Sequence, residues 1–309
     1  MTRVTQARGS QNFSRGTRFG LAILLCIVVF QVLALSIPVA YAATPTLDCA
    51  NPTSCVANAA AAANCNGGGK KCALSVTGTL STSATDTTPM VIAIVGVTSS
   101  SVTISPPTVG GAGMSSLCAT TGLAPAIAAF YYQSPGALSG AAISWSGNGA
   151  TSSDYATLVA FAIQGQITTG TVSDGSCFAS SAVTTSTTPS VTVTGLAESN
   201  DFIFGSAVSV APPLATTTGT QAANTDTQVS GLGAAVAYNS GSSGSSSTIS
   251  FSTGSSGNWV TVGAAIKDST STPIPLFPEG ILPILVMVTV LFIATKHGRL
   301  GSRYRGSGQ

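Results

Sequence analysis

Between Leu74 and Ile266 the chain is a succession of apolar, β-branched runs five to nine residues long, each closed off by Gly, Ser, Pro or Asn. Runs of that length are too short for ordinary helices, and their regular spacing with turn residues reads as strands of an all-β, double-sheet sandwich. Strands are expected at 74–80, 90–97, 101–105, 126–132, 141–146, 155–163, 190–195, 202–210, 232–239, 247–252 and 259–266. SVTVTG (190–195) and STISFS (247–252) alternate apolar and polar residues, so one face of each meets water. MVIAIVGV (90–97) and YATLVAFAI (155–163) are apolar on both faces, as strands buried on both sides are.

Composition removes several alternatives. Only 6% of residues are charged, against roughly 25% in an ordinary soluble domain. Coiled coils, nucleic-acid binders and acidic disordered tails all need charge that is not there. A collagen is excluded because Gly has no three-residue period. Small hydroxyl residues fill the gap: Ser and Thr make up 74 of the 234 residues from Ala43 to Leu276. Charge gathers at the ends, with Arg3, Arg8, Arg15 and Arg18 at one and Lys296, Arg299, Arg303 and Arg305 at the other. The stretch between is weakly acidic, with three lysines against eight carboxylates.

An internal echo runs through the β region. Ile143-Ser144-Trp145-Ser146 matches Ile249-Ser250-Phe251-Ser252, each followed by a strand that opens near an aromatic (Tyr155, Trp259) and closes on Ala-Ile. The expectation is two duplicated β units that together complete one double-sheet sandwich, such as a jelly roll. Over about Leu74 to Asp268 this order resembles the sandwich modules of roughly 200 residues found in bacterial and archaeal surface proteins.

The N-terminus has the three parts of a secretory signal: a basic start, the apolar run from Leu21 to Pro38, and Ala40 and Ala42 as the small residues a signal peptidase needs, placing cleavage after Ala42. At the other end, 281–295 (ILPILVMVTVLFIAT) is uniformly apolar and is followed by Lys296, His297 and Arg299, as a membrane helix with a cytoplasmic basic tail would be. Pro278-Glu279-Gly280, the apolar helix and the basic cluster together resemble the C-terminal sorting signals of the exosortase and archaeosortase systems, which implies processing or attachment at Pro278 and Glu279. The organisation is then 1–42 signal peptide, 43–73 Cys-rich helical cap, 74–268 sandwich, 269–280 Ser/Thr/Pro linker, 281–295 transmembrane helix and 296–309 cytoplasmic tail. This puts the main domain at the cell surface, anchored in the cytoplasmic membrane.

Six cysteines remain after the signal: Cys49, Cys55, Cys65, Cys72, Cys118 and Cys177. An even number in an exported chain reads as three disulfides. VANAAAAAN between Cys55 and Cys65 is helix-forming by alanine content. On a helix those two thiols are too far apart to bond. Local pairs Cys49–Cys55 and Cys65–Cys72, with Cys118–Cys177 joining two long loops, are expected; the alternative ties Cys118 and Cys177 to the N-terminal cluster.

No catalytic constellation is legible. The only histidine is His297 in the tail, so the body can hold no His-based nucleophile site and no zinc site of the usual ligand spacing. Glu198 and Asp201 sit in a polar turn, and nothing nominates any carboxylate pair. No metal, cofactor or nucleic acid is expected. The reading is a non-enzymatic surface protein with an adhesive or envelope role, with neighbouring envelope proteins or cell-surface glycans as partners. The alternative is a lectin-like module that presents Tyr131, Tyr132 or Trp145 to a sugar.

Overall fold

The structure, a computed structural model, describes residues 44–269 apart from 50–53, 66–70, 121, 169, 181, 198–199, 213, 225–230 and 242–244. The signal peptide with Ala40 and Ala42, the sorting residues Pro278 and Glu279, the apolar segment 281–295 and the tail lie outside the described residues. Among the described residues every regular element is a strand, all pairings are antiparallel, and no helix is long and apolar enough to cross a membrane.

The chain forms two halves with the same strand plan. The first runs β1 (Thr46–Leu47), β2 (Val56–Ala62), β3 (Cys72–Leu80), β4 (Met90–Val97), β5 (Thr108–Val109), β6 (Ala112–Gly113), β7 (Ser115–Ala119), β8 (Ala126–Gln133), β9 (Ala141–Ala150) and β10 (Tyr155–Gln164). The second runs β11 (Ser173–Ala179), β12 (Thr184–Ser186), β13 (Ser190–Thr194), β14 (Phe202–Ser209), β15 (Leu214–Thr218), β16 (Thr220–Asn224), β17 (Gly233–Ser240), β18 (Ser246–Thr253) and β19 (Gly257–Ile266). In the first half one sheet has the order β1-β10-β4-β8-β7, with β2 also on β10, and the other has β3-β9-β5-β6. In the second half the corresponding orders are β11-β19-β14-β17-β16, with β12 also on β19, and β13-β18-β15. The echo between 143–146 and 249–252 therefore marks equivalent strands, β9 and β18.

Three cores separate four sheets. Leu74, Val76, Ile143 and Trp145 of the first outer sheet pack with Val91, Val95, Phe130 and Leu158 of the first inner sheet. Val191, Val193, Ile249 and Phe251 pack with Ile203, Ala207, Ala235 and Ala265 in the second half. Between them, the two inner sheets pack on each other through Ile92, Ile94, Phe161, Phe204, Val208, Val236 and Val262. So β4 sends Val91, Ala93, Val95 and Val97 to one core and Met90, Ile92 and Ile94 to the next. That explains why its sequence lacks alternation while β13 and β18 keep it. Each half is thus a double-sheet sandwich in its own right, where the repeat had suggested two halves of one.

At the seam Phe161 meets Phe202 and Phe204 with ring centroids 5.9 Å away in each case, tilted or edge-on as aromatic pairs prefer. The seam is close enough to require a bare backbone at Gly96. A Cβ there would lie 2.5 Å from Val208 Cγ2 and 2.8 Å from Thr157 Oγ1.

The helical cap is corrected by the structure. Val56–Ala62 is strand β2, paired in full register with Tyr155–Phe161 of β10. Alanine favours helix in isolation, but here the pairing with β10 and the burial of Cys55 and Ala57 decide the outcome. Strand 101–105 is also not formed. That segment is irregular, with Val102 buried as a plug in the first core. β7, β11, β15 and β16 were not expected, because SSLCA, SDGSCFA, LATTT and TQAAN carry little apolar pattern. Each is an outlying strand, and each pairing contains an irregularity in register.

All three disulfides are the sequence-nominated ones: Cys49–Cys55, Cys65–Cys72 and Cys118–Cys177. The third joins β7 of one sandwich to β11 of the other.

Two predictions follow from the seam. Gly96→Ala is expected to destabilise the protein by about 1–3 kcal/mol, the usual cost of overpacking, measured by urea unfolding. The pair Cys118→Ala/Cys177→Ala is expected to cost about 2–4 kcal/mol, because it removes a cross-link spanning 59 residues of sequence; calorimetry against the parent reads it out.

Candidate functional site

The three aromatic residues nominated from sequence do not form one surface. Trp145 is only 2% exposed and belongs to the first core; as a solvent-facing sugar platform it is corrected to a core residue. Its ring lies along β9 over Gly147, where a Cβ would stand 2.6 Å from Trp145 Cζ2. Tyr131 and Tyr132, consecutive on β8, are half-buried against different cores, the seam for Tyr131 and the first sandwich for Tyr132. Trp259 is buried and donates from Nε1 to Ser186 Oγ at 3.0 Å.

Two of the buried carboxylates, Asp154 and Asp174, serve turns. Asp154 accepts from the Thr151 N–H at 2.7 Å, Thr151 Oγ1 at 3.0 Å and Thr98 Oγ1 at 3.2 Å, closing the β9–β10 turn. Asp174 accepts from the Ala197 N–H at 2.6 Å. Glu198 lies outside the described residues and Asp201 is fully buried, so no exposed acid pair is seen at that turn.

Asp48 occupies in the first half the place Asp174 holds in the second. Leu47 pairs with Ile163 as Ser173 pairs with Ile266. Asp48 Oδ1 accepts from the N–H of Ser83, the third residue past β3, just as Ala197 is the third past β13. The repeat therefore explains one Asp48 oxygen. Oδ2 meets no N–H or hydroxyl donor, although Asp48 is 0% exposed. The carboxyl of Asp86 lies within its hydrogen-bonding reach. Asp86 Oδ1 accepts from the Thr88 N–H at 2.9 Å, and its Oδ2 is likewise buried without a donor.

Beside this pair is a polar cleft of about 300 Å³ lined by Thr44, Thr46, Thr85, Asp86, Gln164 and Gly165. Behind Gly165, Gln166 is 2% exposed and donates from Nε2 to the Thr88 carbonyl at 2.7 Å; its Oε1 has no partner. The cleft lies where the two halves join. Gln166 bridges Asp268, Ile167 N–H donates to the Lys267 carbonyl, and Ser269 N–H donates to the Gly165 carbonyl. Among the described residues no three His, Cys, Asp or Glu side chains gather into a metal-binding group.

Sequence reasoning counted Asp48 and Asp86 but could not pair them. They are 38 positions apart, and only the docking of β1 on β10 and of the β3–β4 connection on Asp48 unites them. No family model, curated protein or solved structure matches this chain.

Burial raises the pKa of Asp48 above its ordinary value; the Ser83 N–H opposes the rise, and the nearby Asp86 charge adds to it. An acid whose folded pKa is raised binds more protons folded than unfolded in that window. Its contribution is then complete below the ordinary carboxylate range and is lost as pH climbs through the raised value. With chelator present, Asp48→Asn retains an acceptor for Ser83 and is expected to flatten that decline, read from urea midpoints between about pH 4 and 8.

Proposed function

We propose that this chain is a non-enzymatic, exported surface protein, with its double-sandwich body held outside the cell by the apolar segment 281–295 and an adhesive or cell-envelope structural role. The observation that carries the reading is the three disulfides, which use every cysteine from Cys49 to Cys177, as is characteristic of proteins in oxidising compartments. The strand order supports a jelly-roll description of each half, a plan in which two sheets enclose one core. The outer sheets fit a displayed body. Their solvent faces carry hydroxyl pairs such as Thr77–Ser144 at 3.1 Å and Thr192–Thr248 at 2.9 Å. The absence of histidine between residues 43 and 296 supports a binding or structural role over hydrolysis. The sorting reading of Pro278-Glu279 belongs to the same proposal.

Expression in a host with the matching export system tests it. The full chain is expected with the membrane fraction, and a chain ending at Ser271 in the medium. A truncated, signal-cleaved chain that stays with membranes overturns the topology. A glycan array of the released body separates the adhesive and lectin-like roles: binding to one sugar class, lost on Tyr131→Ala or Tyr132→Ala, would favour the second.

A further inference from the structure

The cleft at the junction of the halves is built from oxygen. Asp86 lines it and Asp48 lies beside it, the two carboxyls within hydrogen-bonding reach of each other; each accepts a backbone N–H on one oxygen, and the second oxygen of each is buried with no N–H or hydroxyl donor. Asp48 is 0% exposed, out of reach of bulk solvent. Among the described residues neither acid is in an ion pair, and the nearby side chains are neutral: the hydroxyls of Thr44, Thr46 and Thr85 and the amide of Gln164 line the cleft. The Gln166 amide is pinned to the Thr88 carbonyl, beside the Asp86–Thr88 turn, with Oε1 unpartnered at 2% exposure. Such oxygens are strongly unfavourable when charged and buried unless a counter-charge or a shared proton meets them.

We infer that this cleft binds one divalent hard cation of the calcium class, held between Asp48 and Asp86 and completed by neutral oxygens of the threonines, Gln164 or Gln166. Calcium takes six to eight oxygen ligands in flexible geometry and tolerates sites with few carboxylates at modest affinity. A magnesium ion demands tighter octahedral geometry and keeps its waters. Thiolate- or imidazole-seeking metals find no ligand here. Asp174 reproduces the Asp48 loop anchor in the second half, so the Ser83 hydrogen bond is the part of the Asp48 environment that belongs to the repeat. A bound ion would join β1, the β3–β4 connection and the end of β10, fastening the corner where the chain enters the first sheet.

Thermal unfolding of the full-length protein in mild detergent tests the site, with chelator, calcium chloride or magnesium chloride as the variable. Calcium is expected to raise the midpoint with an apparent Kd of about 10⁻⁴–10⁻³ M, the range of extracellular modules, growing with concentration as linkage requires. Magnesium is expected to do less. Asp86→Asn, at a half-exposed position, is expected to raise the apparent Kd at least about tenfold, and Asp48→Asn to do the same if it folds. Asp174→Asn is expected to leave the calcium response intact. Identical midpoints in chelator and in about 10 mM calcium, or a calcium response that survives Asp86→Asn unchanged, overturn the assignment.

Discussion

Everything in this molecule depends on two sheets that bury both of their faces. β4, β10, β14 and β19 sit between a sandwich core on one side and the seam on the other. Those four strands carry no charged residue and do not alternate. The rest of the composition follows: charge is absent from these four strands, and small and β-branched residues replace it, buried hydroxyls such as Thr157, Ser206 and Thr261 among them. The seam also needs closeness as well as hydrophobicity. Gly96 against Val208 and Thr157 lets the inner sheets approach beyond what a side chain would allow.

The seam creates a problem at its margins, where the outlying strands have little apolar surface. β7 and β11 are polar, irregular in register and next to each other across the seam. The Cys118–Cys177 bond sits there, and it supplies covalently what packing does not. The two local disulfides act differently. Each closes a span of six or seven residues, holding β1, β2 and β3 in a stretch whose intrinsic preference is for helix.

How much of this could be read beforehand varied with how locally it was encoded. The inner strands were legible almost to the residue, since MVIAIVGV, FIFGSAVSV and YATLVAFAI have no other stable use. The cysteine pairs were nominated with an alternative open, and the helix that argued against Cys55–Cys65 is a strand; the extended β2 still keeps those two cysteines at opposite ends. VANAAAAAN misled, since alanine content speaks for an isolated segment and its strand state comes from β10. The number of sandwiches was hidden as well. A repeat shows duplication but not whether its copies share a core or stack, and that is settled by which face of β4 meets which sheet. The Asp48–Asp86 pair was illegible for the same reason: it exists only through contacts between segments distant in sequence. Trp145 shows the opposite error, where a residue that could bind sugar is consumed by packing.

The described segment starts and stops at one place. Thr46 opposes Gln164, and Ser269 is bonded to the neighbouring Gly165. A body suspended through either end is therefore gripped at a single corner, and a pull between its two ends would open that corner like a zipper before loading any core. The same closeness makes the topology nearly circular. A short peptide joining Ser269 to Thr44, with the chain reopened in the exposed turn between β9 and β10, would preserve every strand and all three cores.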